Sequence, residues 1–166
     1  FLRESRPRGR MGTITVSLNC FVPKPFTPFQ WVAMEDLSLL KKKIMTVRKG
    51  LGGIPNIVFR CESPRQADVQ ALLARGERRV GLALVNAHRH HGNWSRALAE
   101  TDFDPNYFVS RWRDVNERLP WDFIDAGVSK DFLIKEYKKA LQEFPSSPCP
   151  IEHCTRCGAC PSIKNT

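Results

Sequence analysis

The residue pattern predicts an α/β protein: a strand-helix-strand unit with parallel strands, followed by a helical region and a cysteine-rich metal-binding tail. Three observations carry that expectation. Residues from Thr13 to Cys20 alternate between polar and apolar. Apolar residues between Met34 and Leu51 recur at steps of three and four. Four of the six cysteines fall between Cys149 and Cys160.

The elements follow in order. Ile14, Val16, Leu18 and Cys20 alternate with Thr13, Thr15, Ser17 and Asn19, the period of two that gives a strand one apolar face. Pro23, Pro25 and Pro28 then break Phe21 to Trp31 into a stiff loop, because proline lacks an amide donor and fixes its own dihedral. Leu37, Leu40, Ile44, Val47 and Leu51 form one stripe of an amphipathic helix, acidic early (Glu35, Asp36) and basic late (Arg48, Lys49). Gly50, Gly52 and Gly53 end it, and Ile57 to Cys61 reads as a second strand, which such a unit pairs in parallel. Ser63 and Gln66 around Pro64 predict a helix from Pro64 to about Arg75. A further helix is expected from Glu77 to His90, with Val80, Leu84, Ala87 and His91 near one face, and shorter pieces over Trp94 to Glu100 and Pro105 to Trp112. Ser129 caps a last helix whose stripe is Leu133, Tyr137, Ala140, Leu141 and Phe144, stopped by Pro145.

Composition narrows the class. The chain has 166 residues, 42% of them hydrophobic and 26% charged, enough to bury a core and unlike a disordered chain. No apolar run approaches the roughly 20 residues of a membrane-spanning helix. The arginines near the N-terminus precede no apolar stretch, so no secretory signal is read there and a cytoplasmic location is expected. The sequence begins at Phe1 and its first methionine is Met11, which reads as a piece of a longer product. A formal charge of +9 suits an acidic partner, nucleic acid included. The charge is dispersed among acids, which favours a solvated surface over a dedicated nucleic-acid site.

The tail carries the sharpest chemistry. Cys149, Cys154, Cys157 and Cys160 stand close enough in sequence for their thiolates to converge on one metal if the backbone turns tightly, and Gly158 and Pro161 favour such turns. Cysteines this dense are poor structural staples in a reducing compartment. Both zinc and an iron–sulfur cluster suit the spacing. His153 is either a substitute ligand or a bystander, and Cys20 and Cys61 read as buried thiols in strands.

Ser17-Leu-Asn-Cys-Phe-Val-Pro-Lys-Pro-Phe-Thr-Pro-Phe-Gln-Trp31, Leu119-Pro-Trp-Asp-Phe-Ile-Asp-Ala-Gly-Val-Ser-Lys130 and the cysteine cluster together resemble the C-terminal part of a radical SAM (iron–sulfur oxidoreductase) family often preceded by a cobalamin-binding-like domain. The likeness runs from about Arg10 to Pro161. It implies a fragment of a parallel, partial TIM-type barrel, with the [4Fe–4S] cluster and S-adenosylmethionine held by an upstream domain of the same parent chain. The family's Cys-x-x-x-Cys-x-x-Cys triplet does not occur in this sequence, so the fragment is expected to be inactive alone. The resemblance makes Thr13 to Phe21 one of the last barrel strands. Catalytic groups in such barrels lie where strands end, so Asn19 and Lys24 are the candidates facing substrate or S-adenosylmethionine. The domains expected are the last barrel strands and helix over 1–62, a helical region over 63–144 and the four-cysteine tail over 145–166.

Other groupings read more plainly. His88, His90 and His91 form a solvated helix end. Asp122 and Asp125 cap neighbouring amides while Trp121, Phe123 and Ile124 anchor their loop. Trp94, Trp112 and Trp121 read as aromatic core before base-stacking platforms. Two alternative functions follow: a zinc-dependent RNA-binding module, and an electron carrier centred on the tail. Strands removed from their barrel would also seek partners, so a homodimer of this chain is a further expectation.

Overall fold

The computed structural model describes residues 12–150, 154 and 156–160. Their contacts divide the chain into two units: the chain up to Val22 with Glu35–Gln70, and Pro23–Met34 with the chain from Ala71 onward.

The first unit is built on strand β1 (Ile14–Leu18), helix α1 (Leu37–Leu51) and strand β2 (Ile57–Cys61), and includes the start of α2 (Pro64–Arg75). β1 and β2 pair in parallel, from Ile14 opposite Ile57 to Leu18 opposite Cys61. The pairing continues past both ends, where Ile14 N donates to Asn56 O at 2.8 Å and Glu62 N donates to Leu18 O at 3.3 Å. Asn56 takes a left-handed backbone at φ 61°, a conformation asparagine tolerates better than most residues. α1 begins at Leu37, three residues after Met34, because Asp36 is its cap: the carboxylate accepts from Ser38 N at 2.8 Å and Leu39 N at 3.1 Å. Arg48 and Lys49 sit in its last turn, where the helix dipole favours cations. Arg48 also lies 5.4 Å above the Phe59 ring, tying α1 to β2.

This unit is thinly covered. Ile14, Val16, Leu18, Ile57, Phe59 and Cys61 are half-buried, while the residues between them are exposed. α1 buries no residue fully, and Leu39, Met45 and Val47 of its apolar set are exposed. Ala67 alone is buried among the unit's described residues. Parallel sheets ordinarily lie covered on both faces. The strand-helix-strand unit with parallel pairing is thus present, in a sheet that has two strands among the described residues.

The second unit holds the core. It contains the loop Pro23–Met34, the end of α2, α3 (Val80–Arg89), α4 (Trp94–Ala99), α5 (Pro105–Val109) and α6 (Lys130–Leu141). Trp31, Leu119, Trp121, Leu133 and Tyr137 form its centre, flanked by Phe26, Val32, Val115, Val128, Phe132 and Ile134. The Trp31 and Tyr137 rings stand 5.6 Å apart and tilted. The proline-rich loop is therefore a core element that carries a buried tryptophan into the helical unit.

Several sequence expectations need correction, among them the core reading of Trp112, which is 61% exposed, and the helix expected to reach Trp112, which ends at Val109. α3 starts at Val80, because Glu77–Arg79 form a turn whose carbonyls receive the amides of Val80, Gly81 and Leu82. Its buried face is Val80, Ala83 and Ala87, whereas Leu84 is exposed: the small residues allow close approach to Ala97 of α4. On α6 the buried set is Leu133, Glu136 and Tyr137, and Leu141 and Phe144 are exposed. Of the aromatic residues expected to anchor the loop after Leu119, Trp121 is buried but Phe123 is 80% exposed.

A pair of buried arginines fastens the unit. Arg75 Nε donates to Phe108 O at 3.1 Å and its Nη1 to Gln30 O at 3.3 Å. Arg113 Nη2 donates to Arg75 O at 3.0 Å and to Phe108 O at 3.4 Å. Gln30 Oε1 accepts from Trp121 Nε1 at 2.7 Å and from Phe26 N at 3.1 Å. Burial, then the charges of Arg113 and Arg111, bring the Arg75 guanidinium down to about 10. Arg111, held by Glu117, completes the cluster. No helix among the described residues is long and apolar enough to cross a membrane.

Candidate metal centre

The tail returns to the helix it follows. α6 is capped by Ser129, whose hydroxyl accepts from Phe132 N at 3.3 Å. The backbone amide of Ser129 donates to Cys157 O at 2.8 Å. Gly158 follows with φ 85°, and a methyl group on it would stand 3.5 Å from Gly127 O, so the Cys157-Gly158 turn lies against the start of α6. The connecting segment is tied down as well. Ser146 donates to the buried Glu136 carboxylate, which also accepts from Lys139 Nζ at 2.6 Å; these two bonds, that of Lys139 first, hold Glu136 below its ordinary range. Arg156 Nη1 reaches Pro148 O at 3.5 Å.

The four tail cysteines are free thiols, Cys149 and Cys160 exposed and Cys154 and Cys157 half-buried. A hollow of about 270 Å³ is lined by Cys149, Cys154 and Cys157, with Lys139, Glu136 and Arg156 around it. The Cys149 thiol, which donates to Pro150 O at 3.7 Å, is raised above its ordinary value chiefly by the neighbouring Cys154, with smaller contributions from Cys160 and Cys157. Three of the four thiols thus share one hollow, and Cys160 is not among its lining residues. Among the described residues, no three His, Cys, Asp or Glu side chains are grouped as a metal-holding set. The thiols are gathered short of a coordination shell. The donor set is nevertheless wholly soft, which suits zinc or iron–sulfur and not magnesium or calcium. Four thiolates carry a charge that a cation would neutralise, and Lys139 and Arg156 supply positive charge at the same hollow. His153 lies outside the described residues.

The remaining candidate residues are dispersed. Asn19 is exposed just past the end of β1 in the first unit. Lys24 is half-buried in the second unit, where its carbonyl accepts from Thr27 Oγ1 at 2.8 Å. Cys20 and Cys61 are half-buried neighbours, and the Cys20 thiol is raised by burial first and then by Cys61 and Glu62. Asp122 accepts from Leu119 N at 2.9 Å and from Lys130 Nζ at 2.8 Å, and Asp125 accepts from Gly127 N at 2.8 Å, so both hold loop geometry as expected. His90 pairs with Glu100 at 2.8 Å across the α3–α4 turn. The features that the sequence left unread are the docking of the tail on α6 and the buried arginine cluster. The first rests on a backbone bond between distant residues, which leaves no trace in residue type.

No family model, curated protein or solved structure matches the chain.

Proposed function

We propose that this chain is the C-terminal portion of a radical SAM iron–sulfur enzyme, an oxidoreductase, in which it completes a partial TIM-type barrel and carries an auxiliary metal centre on Cys149, Cys154, Cys157 and Cys160. The observation that supports this reading best is the exposed parallel sheet of the first unit. β1 and β2 bury no residue, α1 buries none, and Ala67 is the unit's one buried residue among those described. A parallel pair with half-covered faces and open outer edges needs further strands and helices to be stable. The upstream domain of the parent chain is the partner that would supply them, together with the [4Fe–4S] cluster and S-adenosylmethionine. In that assembly Asn19, at the end of β1, and Lys24 are the residues offered toward substrate or S-adenosylmethionine. Zinc and an iron–sulfur cluster both suit the tail thiolates, and the centre's role there is auxiliary.

Hydrogen exchange tests the reading. In the isolated chain the amides of β1 and β2 should exchange far faster than those of α6, and adding the upstream domain should slow them. Slow exchange in the isolated monomer would show that the sheet needs no partner and would sink the proposal. Metal analysis with an absorption spectrum on anaerobically purified protein separates the two centres. Absorption near roughly 400 nm marks a thiolate-bound cluster, and a colourless protein with one zinc marks the other.

A further inference from the structure

The second unit carries a groove of about 870 Å³ remote in sequence from the cysteine tail. Phe26, Trp121, Phe123 and Ile124 line it together with Arg78 and Arg79. The same four apolar residues also line an adjoining hollow of about 470 Å³, so they form a shared apolar wall between the two. Its make-up is unusual for a surface loop. Phe123 is 80% exposed and Ile124 49% exposed, directly beside Trp121, which is buried. Trp121 Nε1 is committed to Gln30 Oε1 at 2.7 Å, so its ring offers the groove only apolar surface. Phe26, at φ 59°, is held in a left-handed backbone by its amide bond to Gln30 Oε1. Of the two arginines, Arg79 is paired through Nε with Glu77, and Arg78 makes no ion pair among the described residues.

We infer that this groove binds single-stranded nucleic acid, with bases stacked against Phe123 and Phe26 and a backbone phosphate held by Arg78 and Arg79. The two kinds of lining residue suit the two parts of a nucleotide: aromatic rings stack on any base, and guanidinium forks match phosphate oxygens. The groove's size is that of ordinary ligand clefts. A chain charge of +9 adds the long-range attraction that such a ligand needs. None of these residues belongs to the tail or the first unit, so the inference stands apart from the metal-centre reading and can fail without it.

The test is fluorescence anisotropy of a short labelled oligouridine, and of the same sequence as a duplex, titrated with the full chain across a salt series. The single strand should bind at low salt and more tightly than the duplex. Phe123→Ala should weaken it roughly five- to a hundred-fold. Arg78→Ala should lower the logarithmic salt slope by roughly 0.7, the loss of one phosphate contact. Both side chains are exposed, so neither variant threatens the fold. Equal binding of duplex and single strand with no loss in Phe123→Ala would reduce the interaction to diffuse charge and overturn the inference. So would the absence of binding at low salt. Sedimentation decides the remaining alternative: if Phe123→Ala abolishes a dimer while oligouridine never binds, the wall is a contact between copies of this chain.

Discussion

Replacing Arg75 with methionine isolates the part of the second unit on which most else depends. The side chain is fully buried, and methionine keeps much of its aliphatic length while removing the guanidinium. Two bonds are lost, to Phe108 O and Gln30 O. Phe108 O keeps its bond from Arg113 Nη2 at 3.4 Å, but Gln30 O is left with no other donor in this cluster. A hydrogen bond from a charged group contributes about 1.5–3 kcal/mol, and an orphaned buried carbonyl costs about 1–3 kcal/mol. Opposing these is relief of repulsion: Arg75 lies beside Arg113 and Arg111, which pair with Glu117 while Arg75 does not, and Arg75 Nη2 is itself buried without a partner. The bonds should win, for a net loss of about 2–4 kcal/mol. Urea unfolding followed by tryptophan fluorescence reads this directly, since Trp31 and Trp121 both lie in the affected core. Arg75→Lys should lose nearly as much, because an ammonium cannot reproduce a planar fork spanning two carbonyls. A midpoint for Arg75→Met equal to or above that of the parent would show that burial of like charges outweighs the bonds, and the reasoning would be wrong.

Three further outcomes are expected. Gly76→Ala would place a methyl carbon 2.4 Å from Val80 Cγ2 and 2.7 Å from Leu72 O, so the α2–α3 turn must open, costing about 1–3 kcal/mol in the same unfolding assay. Glu117 is held below its ordinary 4.5 chiefly by the hydrogen bonds from Arg111, with burial opposing. Its pairing therefore stabilises the fold fully above the unfolded value and loses that contribution as pH falls through the lower folded value. The advantage of the parent over Glu117→Gln, about 1 kcal/mol or less for a partly exposed pair, should thus vanish as the solution is acidified below 4.5 in a pH series of melts. If the tail holds a metal as proposed, stripping it with a chelator should speed exchange at the Ser129 amide, which is bonded to Cys157 O, while leaving Tyr137 protected. Loss of protection at Tyr137 as well would mean that the metal supports the core.

Local signals in the sequence were enough to place the elements, and long-range ones were not. Alternation placed β1, because period two is a property of the strand itself. Ser129 marked the start of α6 because capping acts within three residues, whereas the helix expected from Met34 begins at Leu37, after an Asp36 cap that its early acidic charge alone did not reveal. The stripe on α6 misled at Leu141 and Phe144, since periodicity shows which face is apolar but not how far the neighbouring core extends. Likewise Leu84 outranks Ala83 by hydropathy, yet close helix packing selected the smaller residue. In the tail, spacing singled out four cysteines, three of which line one hollow, while the attachment of the tail to Ser129 depends on the path of the chain.

Arg75 bonds only to main-chain oxygens, and Arg113 returns the bond to the main-chain oxygen of Arg75. Every amino acid carries that acceptor. Residues 30 and 108 can therefore change identity without breaking these two contacts, provided their backbones hold position. In a set of diverged sequences the arginine would stay fixed while its partners drifted, so pairwise covariation would miss one of the strongest couplings in the unit. Gln30 adds a second constraint of another kind, because its side-chain oxygen gathers Trp121 and Phe26, and that restricts residue type.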